Sequence, residues 1–318
     1  MSYSIHALPW DLAIAFFLIG GGRIAYIAWK RRKRALLTAS AVFILTIVYG
    51  SFIEPQIITV TESEVSLPMK EYMKIVVLSD LHVGPYKGRR FISRVVTKVN
   101  ALNPDLVLLA GDFIYLGSDP VNYLAPLAEL HPRYGTFAVL GNHEYSCRNS
   151  GTVYGVLGGA GSDYSLPVRR ALERTGVTVL ENAWREITID TGLLFVAGVD
   201  DSCSRRDDLK KAMPEVLKQS PLILIAHNPD IILEGIARRP HLIVAGHTHA
   251  GQIRLPFIGP IAPSPTQLGW EYDQGIFPVD ANTTLAITRG VGESSPRARL
   301  FAPPEILLLE AKGNLLEN

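Results

Sequence analysis

Five short apolar runs punctuate the chain: Lys74 to Ser79, Asp105 to Ala110, Thr136 to Leu140, Leu222 to Ile225 and Leu242 to Ala245. They are rich in Val, Leu and Ile without polar alternation, the pattern of strands buried on both faces. After the first run, Ile92, Val95, Val96, Val99 and Leu102 recur at helical spacing within Gly88 to Leu102, predicting a helix that covers the sheet. Pro167 to Arg174 predicts another, opened by a first-turn proline and followed by Gly176. Arg185 to Asp190 and Leu193 to Val199 flank Thr191-Gly192 as hairpin strands do, so part of the sheet is expected to be antiparallel. Glu305 to Glu310 reads as a last strand, and the glycine-rich 151–161 and proline-rich 255–269 as long surface loops. The fold class is mixed α/β, with helices flanking the β-sheet.

The first fifty residues follow a different pattern. Leu12 to Trp29 is apolar except for Arg23, and Ala35 to Ile53 carries no charge, so each is near membrane-spanning length. Lys30-Arg31-Arg32-Lys33-Arg34 lies between them, a basic cluster of the kind retained on the cytoplasmic side. Two spans then form a hairpin, and the domain that follows is extracytoplasmic. A degenerate twin-arginine export signal, Arg31-Arg32 with Ala35-Leu36-Leu37, also predicts export. Alternatively, Arg23 and Gly20-Gly21-Gly22 leave the first segment as an interfacial helix. Asp11 is expected at the membrane edge, and Arg23 to snorkel. The chain divides into an anchor of one or two transmembrane helices (1–55), a linker (56–71) and a catalytic domain (72–318).

At 318 residues and 47% hydrophobic content, the chain suffices for one large core. A net charge of +1 lacks the basic excess of a nucleic-acid binder. Cys147 and Cys203 allow one disulfide at most, and free thiols are the expectation.

Each of the five runs stops at a residue that binds metals: Asp80-Leu81-His82, Gly111-Asp112, Gly141-Asn142-His143-Glu144, Ala226-His227 and Gly246-His247-Thr248-His249. Residues two apart on extended backbone point to the same side, so Asp80 with His82, and His247 with His249, can each converge. With Asp112, Asn142 and His227 they supply seven oxygen and nitrogen donors, more than one tetrahedral zinc uses. Two divalent ions are expected, drawn from Mn, Fe, Zn or Co because the set contains carboxylate, amide and imidazole but no thiolate. Two ions about 3.5 to 4 Å apart activate water and stabilise charge on a phosphate. His6, His131 and His241 lie outside the motifs and are expected to be structural or superficial. Asp200-Asp201 is expected to form a turn at a strand end.

Asp-x-His, Gly-Asp, Gly-Asn-His-Glu, a later His and Gly-His-x-His, in that order, resemble the calcineurin-like metallophosphoesterases from Lys74 to the C-terminus. The resemblance implies that family's sandwich of mixed β-sheets. It places Asp80, His82 and His249 on one metal, Asn142, His227 and His247 on the other, and Asp112 between them through both carboxylate oxygens. It gives His143 the role of the catalytic, non-ligand histidine that meets the scissile phosphate. Glu144 is expected to orient its loop. The implied reaction is hydrolysis of a phosphodiester, phosphomonoester or pyrophosphate near a bilayer. The anchor resembles that of the family's membrane-bound branch, which suggests a lipid-linked substrate such as UDP-2,3-diacylglucosamine of lipid A synthesis. That substrate is made on the cytoplasmic face, whereas the basic cluster turns the domain outward. The alternative to an enzyme is a non-catalytic membrane receptor or scaffold that keeps the metals for its fold, and a transporter is disfavoured because the spans carry no ligands.

Overall fold

The structure, a computed structural model, describes residues 8–115, 119–147, 162–214, 220–234 and 240–313. Strands and helices are labelled in chain order. Helix α1 (Leu8–Lys30) and helix α2 (Arg34–Val48) pack against one another as a hairpin whose tip carries the basic cluster. Gly21 faces the second helix, and a Cβ there would meet Ile44 at 3.0 Å. Of the three glycines Gly21 serves close helix approach, as small residues do in membranes, while Gly20 and Gly22 face open space. The second apolar segment, 34–56, ends in a π turn (Tyr49–Ile53) and a 3-10 turn (Glu54–Gln56). Both segments are long and apolar enough to cross a bilayer.

Two six-stranded sheets form the rest. The first runs, in spatial order, β1 (Thr59–Leu67), β14 (Glu305–Gly313), β2 (Met73–Leu78), β3 (Leu106–Ala110), β4 (Thr136–Val139) and β5 (Thr178–Val179). The second runs β12 (Gly275–Pro278), β13 (Thr284–Ile287), β9 (Leu242–Ala245), β8 (Leu222–Ile225), β7 (Gly192–Gly198) and β6 (Ala183–Ile189). The predicted β6–β7 hairpin is antiparallel, while β7, β8 and β9 run parallel. The linker reading of 56–71 is corrected over Thr59–Leu67. That stretch pairs with β14 along its whole length and forms an edge of the first sheet.

Period-two geometry explains the unbroken apolar runs. Ile75, Val77, Leu106, Leu108, Phe137 and Val139 face the second sheet, meeting Leu194, Val196, Ile223, Ile225 and Val244. Their neighbours Val76, Leu78, Val107, Leu109 and Ala138 face outward, under helix α3 (Arg89–Ala101) and helix α4 (Ser165–Arg174). Phe91, Ile92, Val95, Val96 and Val99 are the buried stripe of α3. Strands covered on both faces have no position left for a polar residue until they end, and there the functional side chains begin.

Loop 151–161 falls outside the described residues. The 255–269 loop is partly ordered into a hairpin of β10 (Arg254–Leu255) and β11 (Gly259–Pro260). His131 is at the surface, and His241 Nδ1 accepts a hydrogen bond from the Leu222 backbone at 3.1 Å, so both are structural or superficial. His6 is outside the described residues. The free-thiol expectation is overturned, because Cys147 and Cys203 form a disulfide across 56 residues of sequence. Spacing gave no hint of it, since the bond joins loops that follow β4 and β7, in different sheets.

Candidate metal centre

The seven predicted donors leave the ends of β2, β3, β4, β8 and β9, where the two sheets meet. Asp80, His82, Asp112, His247 and His249 all have positive φ, between 42° and 71°. Such backbone is uncommon for residues other than glycine and gathers at functional sites, because the surrounding packing must hold it there. The preceding glycines leave room for these turns. A Cβ on Gly246 would lie 1.8 Å from Ser79 Oγ, and one on Gly141 would lie 2.3 Å from Asp112 Oδ1.

Two clusters result. In the first, His249 Nε2 is 3.3 Å and His82 Nε2 is 3.7 Å from Asp80 Oδ1, and the two imidazole nitrogens are 3.1 Å apart. In the second, His227 Nε2 is 3.1 Å from Asn142 Oδ1 and 3.0 Å from His247 Nδ1. Asp112 Oδ2 lies between them, 3.6 Å from His82 Nε2 and 3.2 Å from His227 Nε2. Its Oδ1 accepts the His143 backbone N–H at 2.9 Å. Asp80 is built alike: Oδ2 accepts the His247 N–H at 3.0 Å, and Oδ1 is a buried oxygen without a hydrogen-bond partner.

These donors fit divalent cations. Facing imidazole nitrogens and an unpaired buried carboxylate oxygen are unfavourable unless a positive charge lies among them. The outer hydrogen bonds aim the correct atoms inward. His227 Nδ1 donates to Ala110 O at 2.7 Å, and Asn142 Nδ2 donates to Cys147 O at 3.0 Å, which turns Asn142 Oδ1 toward His227. Electrostatics point the same way. Burial alone would raise Asp80 and Asp112, but the histidines around them hold both below the ordinary carboxylate range. Burial would lower His227, yet Asp112 and Asp80 draw it up to about 10, a proton taking the place of cationic charge. His247 falls to about 4 through burial and the neighbouring His227.

His143 adjoins the first cluster, its ring centroid 4.5 Å from that of His82. Its Nδ1 bonds Tyr115 O at 2.7 Å, its Nε2 is 3.9 Å from Asp112 Oδ2, and 19% of its side chain is exposed. Glu144 is fully buried, and its two oxygens accept four backbone N–H groups, from Gly141, Asp112, Phe113 and Ile114. It therefore ties the β4 loop to the β3 loop, the orienting role expected of it. Asp201 accepts from Ser204 N and Oγ, so it forms the expected turn.

Two features escaped sequence reading. Arg299 is fully buried, donates to Gly292 O and Ala302 O, and brings Nη2 within 3.4 Å of His249 Nδ1. A cleft of about 540 Å³ opens beside the second cluster, lined by Asn142, His247, Arg205, Asn228, Asp230 and Gln267. Arg205 follows the Asp200-Asp201 turn, which was the available signal. Arg299 had none, since only folding buries it.

The profile of the calcineurin-like phosphoesterase family matches residues 73–251, more than half of the chain. The chain belongs to this family and is a metal-dependent phosphoric ester hydrolase. It is 29% identical to an uncharacterised metallophosphoesterase of Campylobacter jejuni, over 88% of this chain and 69% of that protein. It is 32% identical to a bovine transmembrane protein with a metallophosphoesterase domain, over 89% of this chain and 64% of that one. It is 28% identical to the UDP-2,3-diacylglucosamine pyrophosphatase LpxG of Chlamydia trachomatis, over 86% of this chain and 95% of the relative.

Proposed function

We propose that this chain is a membrane-anchored, two-metal phosphoesterase that cleaves a phosphodiester or pyrophosphate of a lipid-linked substrate on the extracytoplasmic face. The observation that carries the reading is Asp112 Oδ2 within 3.6 Å of a histidine in each of two ligand clusters, with His143 Nε2 3.9 Å from the same oxygen. Asp80, His82 and His249 would hold one ion, Asn142, His227 and His247 the other, with Asp112 contributing to both. Divalent ions there would supply Lewis acidity toward the phosphoryl oxygens and lower the pKa of the attacking water. His143, aimed through its bond to Tyr115 O, offers Nε2 to the phosphate and gives a proton to the leaving oxygen. Arg205 lends positive charge to a cleft that Asp207, Asp230 and Glu234 otherwise make acidic.

Two observations support the outward orientation. The basic cluster lies at the far tip of a hairpin whose 23-residue helix spans about 35 Å. The Cys147–Cys203 disulfide belongs to oxidising compartments. Similarity to LpxG supports a lipid-linked pyrophosphate such as UDP-2,3-diacylglucosamine, and the outward orientation favours a lipid phosphoester exposed on the outer face instead. The test is to load the full chain with Mn(II), offer phosphodiesters, nucleotide-linked lipids and phospholipids, and identify products by mass. Cleavage of a lipid-linked phosphoester is expected. A folded, metal-loaded sample inert toward every lipid-linked member would overturn the substrate reading.

A further inference from the structure

The β10–β11 hairpin carries an apolar tip that nothing among the described residues covers. Phe257 is fully exposed at positive φ, Ile258 is 75% exposed, Ile261 57% and Leu255 41%. Bulky residues rarely adopt that backbone at a turn, and clustered exposed apolar side chains mark interaction surfaces. The whole stretch 255–269 carries no charged residue. Its contact is therefore set by apolar area rather than by attraction to charge.

The base of the hairpin is tied to the anchor. Arg254 N donates to Leu300 O and Leu300 N to Gln252 O, both at 2.9 Å. One residue away, Arg299 N donates to Gly50 O at 2.8 Å in the last turns of the second apolar segment, and Ala302 N donates to Glu54 Oε1 at 2.7 Å. Phe301, between these contacts, is exposed and also has positive φ. Arg297 pairs with Asp11 at 2.6 Å, fixing the start of α1 at the same end. The exposed tip thus continues the surface through which both helices leave the domain, and that continuity makes a bilayer its occupant. At its other end the same loop reaches the cleft with Pro265 and Gln267.

We propose that the Leu255–Ile261 hairpin and Phe301 immerse in the leaflet entered by the second helix, and that the following loop forms the side of the cleft by which a lipid phosphoester enters. The entry step rests on the lipid-linked reading above, whereas the immersion does not. The test uses the full chain in phosphatidylcholine vesicles with a spin label at Ile258→Cys, the native cysteines being joined to each other. Greater access of the label to oxygen than to a water-soluble nickel chelate is expected. Chelate access equal to that of a label in water would overturn the immersion, whatever the substrate. A paired measurement compares the rate on a vesicle-borne phosphoester with that on a water-soluble aryl phosphodiester, whose hydrolysis reports a folded site. Phe257→Ser/Ile258→Ser is expected to lower the ratio about tenfold, equivalent to ~1.4 kcal/mol. An unchanged ratio with an immersed label would overturn the entry step. An immersed label on protein that hydrolyses only the aryl diester would leave the immersion standing and overturn the lipid-linked substrate.

Discussion

Around Asp80, His82 and His249 every donor is buried, two carboxylates are in reach, and Arg299 closes the back. Around Asn142, His227 and His247, the one carboxylate among the donors is Asp112, His247 is half-buried, and the cleft opens beside them. A cation in the first cluster would meet more carboxylate charge and less water and be held more tightly, Arg299 offsetting part of that charge. The second cluster borders the cleft. On the proposed two-metal reading the asymmetry divides labour: one position would keep the centre assembled, and the other would exchange water, phosphate and product.

Asp112 is the one element common to both positions, and breaking it has the largest effect. Asp112→Asn keeps the side-chain shape but removes the charge from Oδ2. Turnover is expected to fall about 10³-fold or more, several kcal/mol of lost stabilisation. Elemental analysis should find both ions depleted, the second more than the first. Full retention of both would show that the carboxylate charge is not what couples the clusters.

His143→Ala separates chemistry from ion binding. The expected loss in kcat is about 10²-fold, with metal content unchanged, because proton donation goes while the ligands stay. Metal loss of the same size as in Asp112→Asn would instead make His143 a ligand.

The contrast between the clusters was only half legible in the sequence. The residues gathered in the two clusters, with His143 beside them, stand in short motifs because strands buried on both faces tolerate polar residues only at their ends. The mixed sheet followed from the same runs. The bond that holds Asp112 Oδ1 could not be read, because it depends on the His143 N–H arriving from another strand. Nor could the disulfide, the burial of Arg299 or the pairing of Thr59–Leu67 with β14, each of which joins segments far apart in the chain. Local pattern predicts which residues are dedicated to the site, and long-range packing decides how differently two similar sets are treated.

Protons sharpen the comparison further. His227 is drawn up to about 10 by Asp112 and Asp80, so at neutral pH it holds a proton that an ion in the second cluster must displace. In the first cluster His82 is raised as well, against burial, by its bond to Asp80 and the charge of Asp112, while His249, like His247 in the second, is lowered by burial. Apparent affinity at the second position is therefore expected to rise about tenfold per pH unit below pH 10 for each proton released, and to weaken with acid. The first position should follow the same direction through His82. Mn(II) titrations by calorimetry in buffers of different ionisation enthalpy would count the protons, and release at neither position would show that neither histidine carries a proton into ion binding.

The smallest expected effect concerns the disulfide, which touches only the second cluster. Cys147 N donates to Asn142 O at 2.9 Å, and Asn142 Nδ2 returns a bond to Cys147 O, so the bridge to Cys203 braces the loop that aims Asn142 Oδ1. Cys147→Ser/Cys203→Ser is expected to lower overall stability by about 2–4 kcal/mol through the freed unfolded chain. It should also weaken the second ion about tenfold, in the range of lost outer-shell support. General loosening would weaken both ions together, whereas a bracing role weakens the second and spares the first. Chelator competition on the oxidised protein and the double variant, with the two ions followed separately, decides between these outcomes. Parallel losses would reduce the disulfide to a staple for the fold and leave cleft exposure as the main source of the asymmetry.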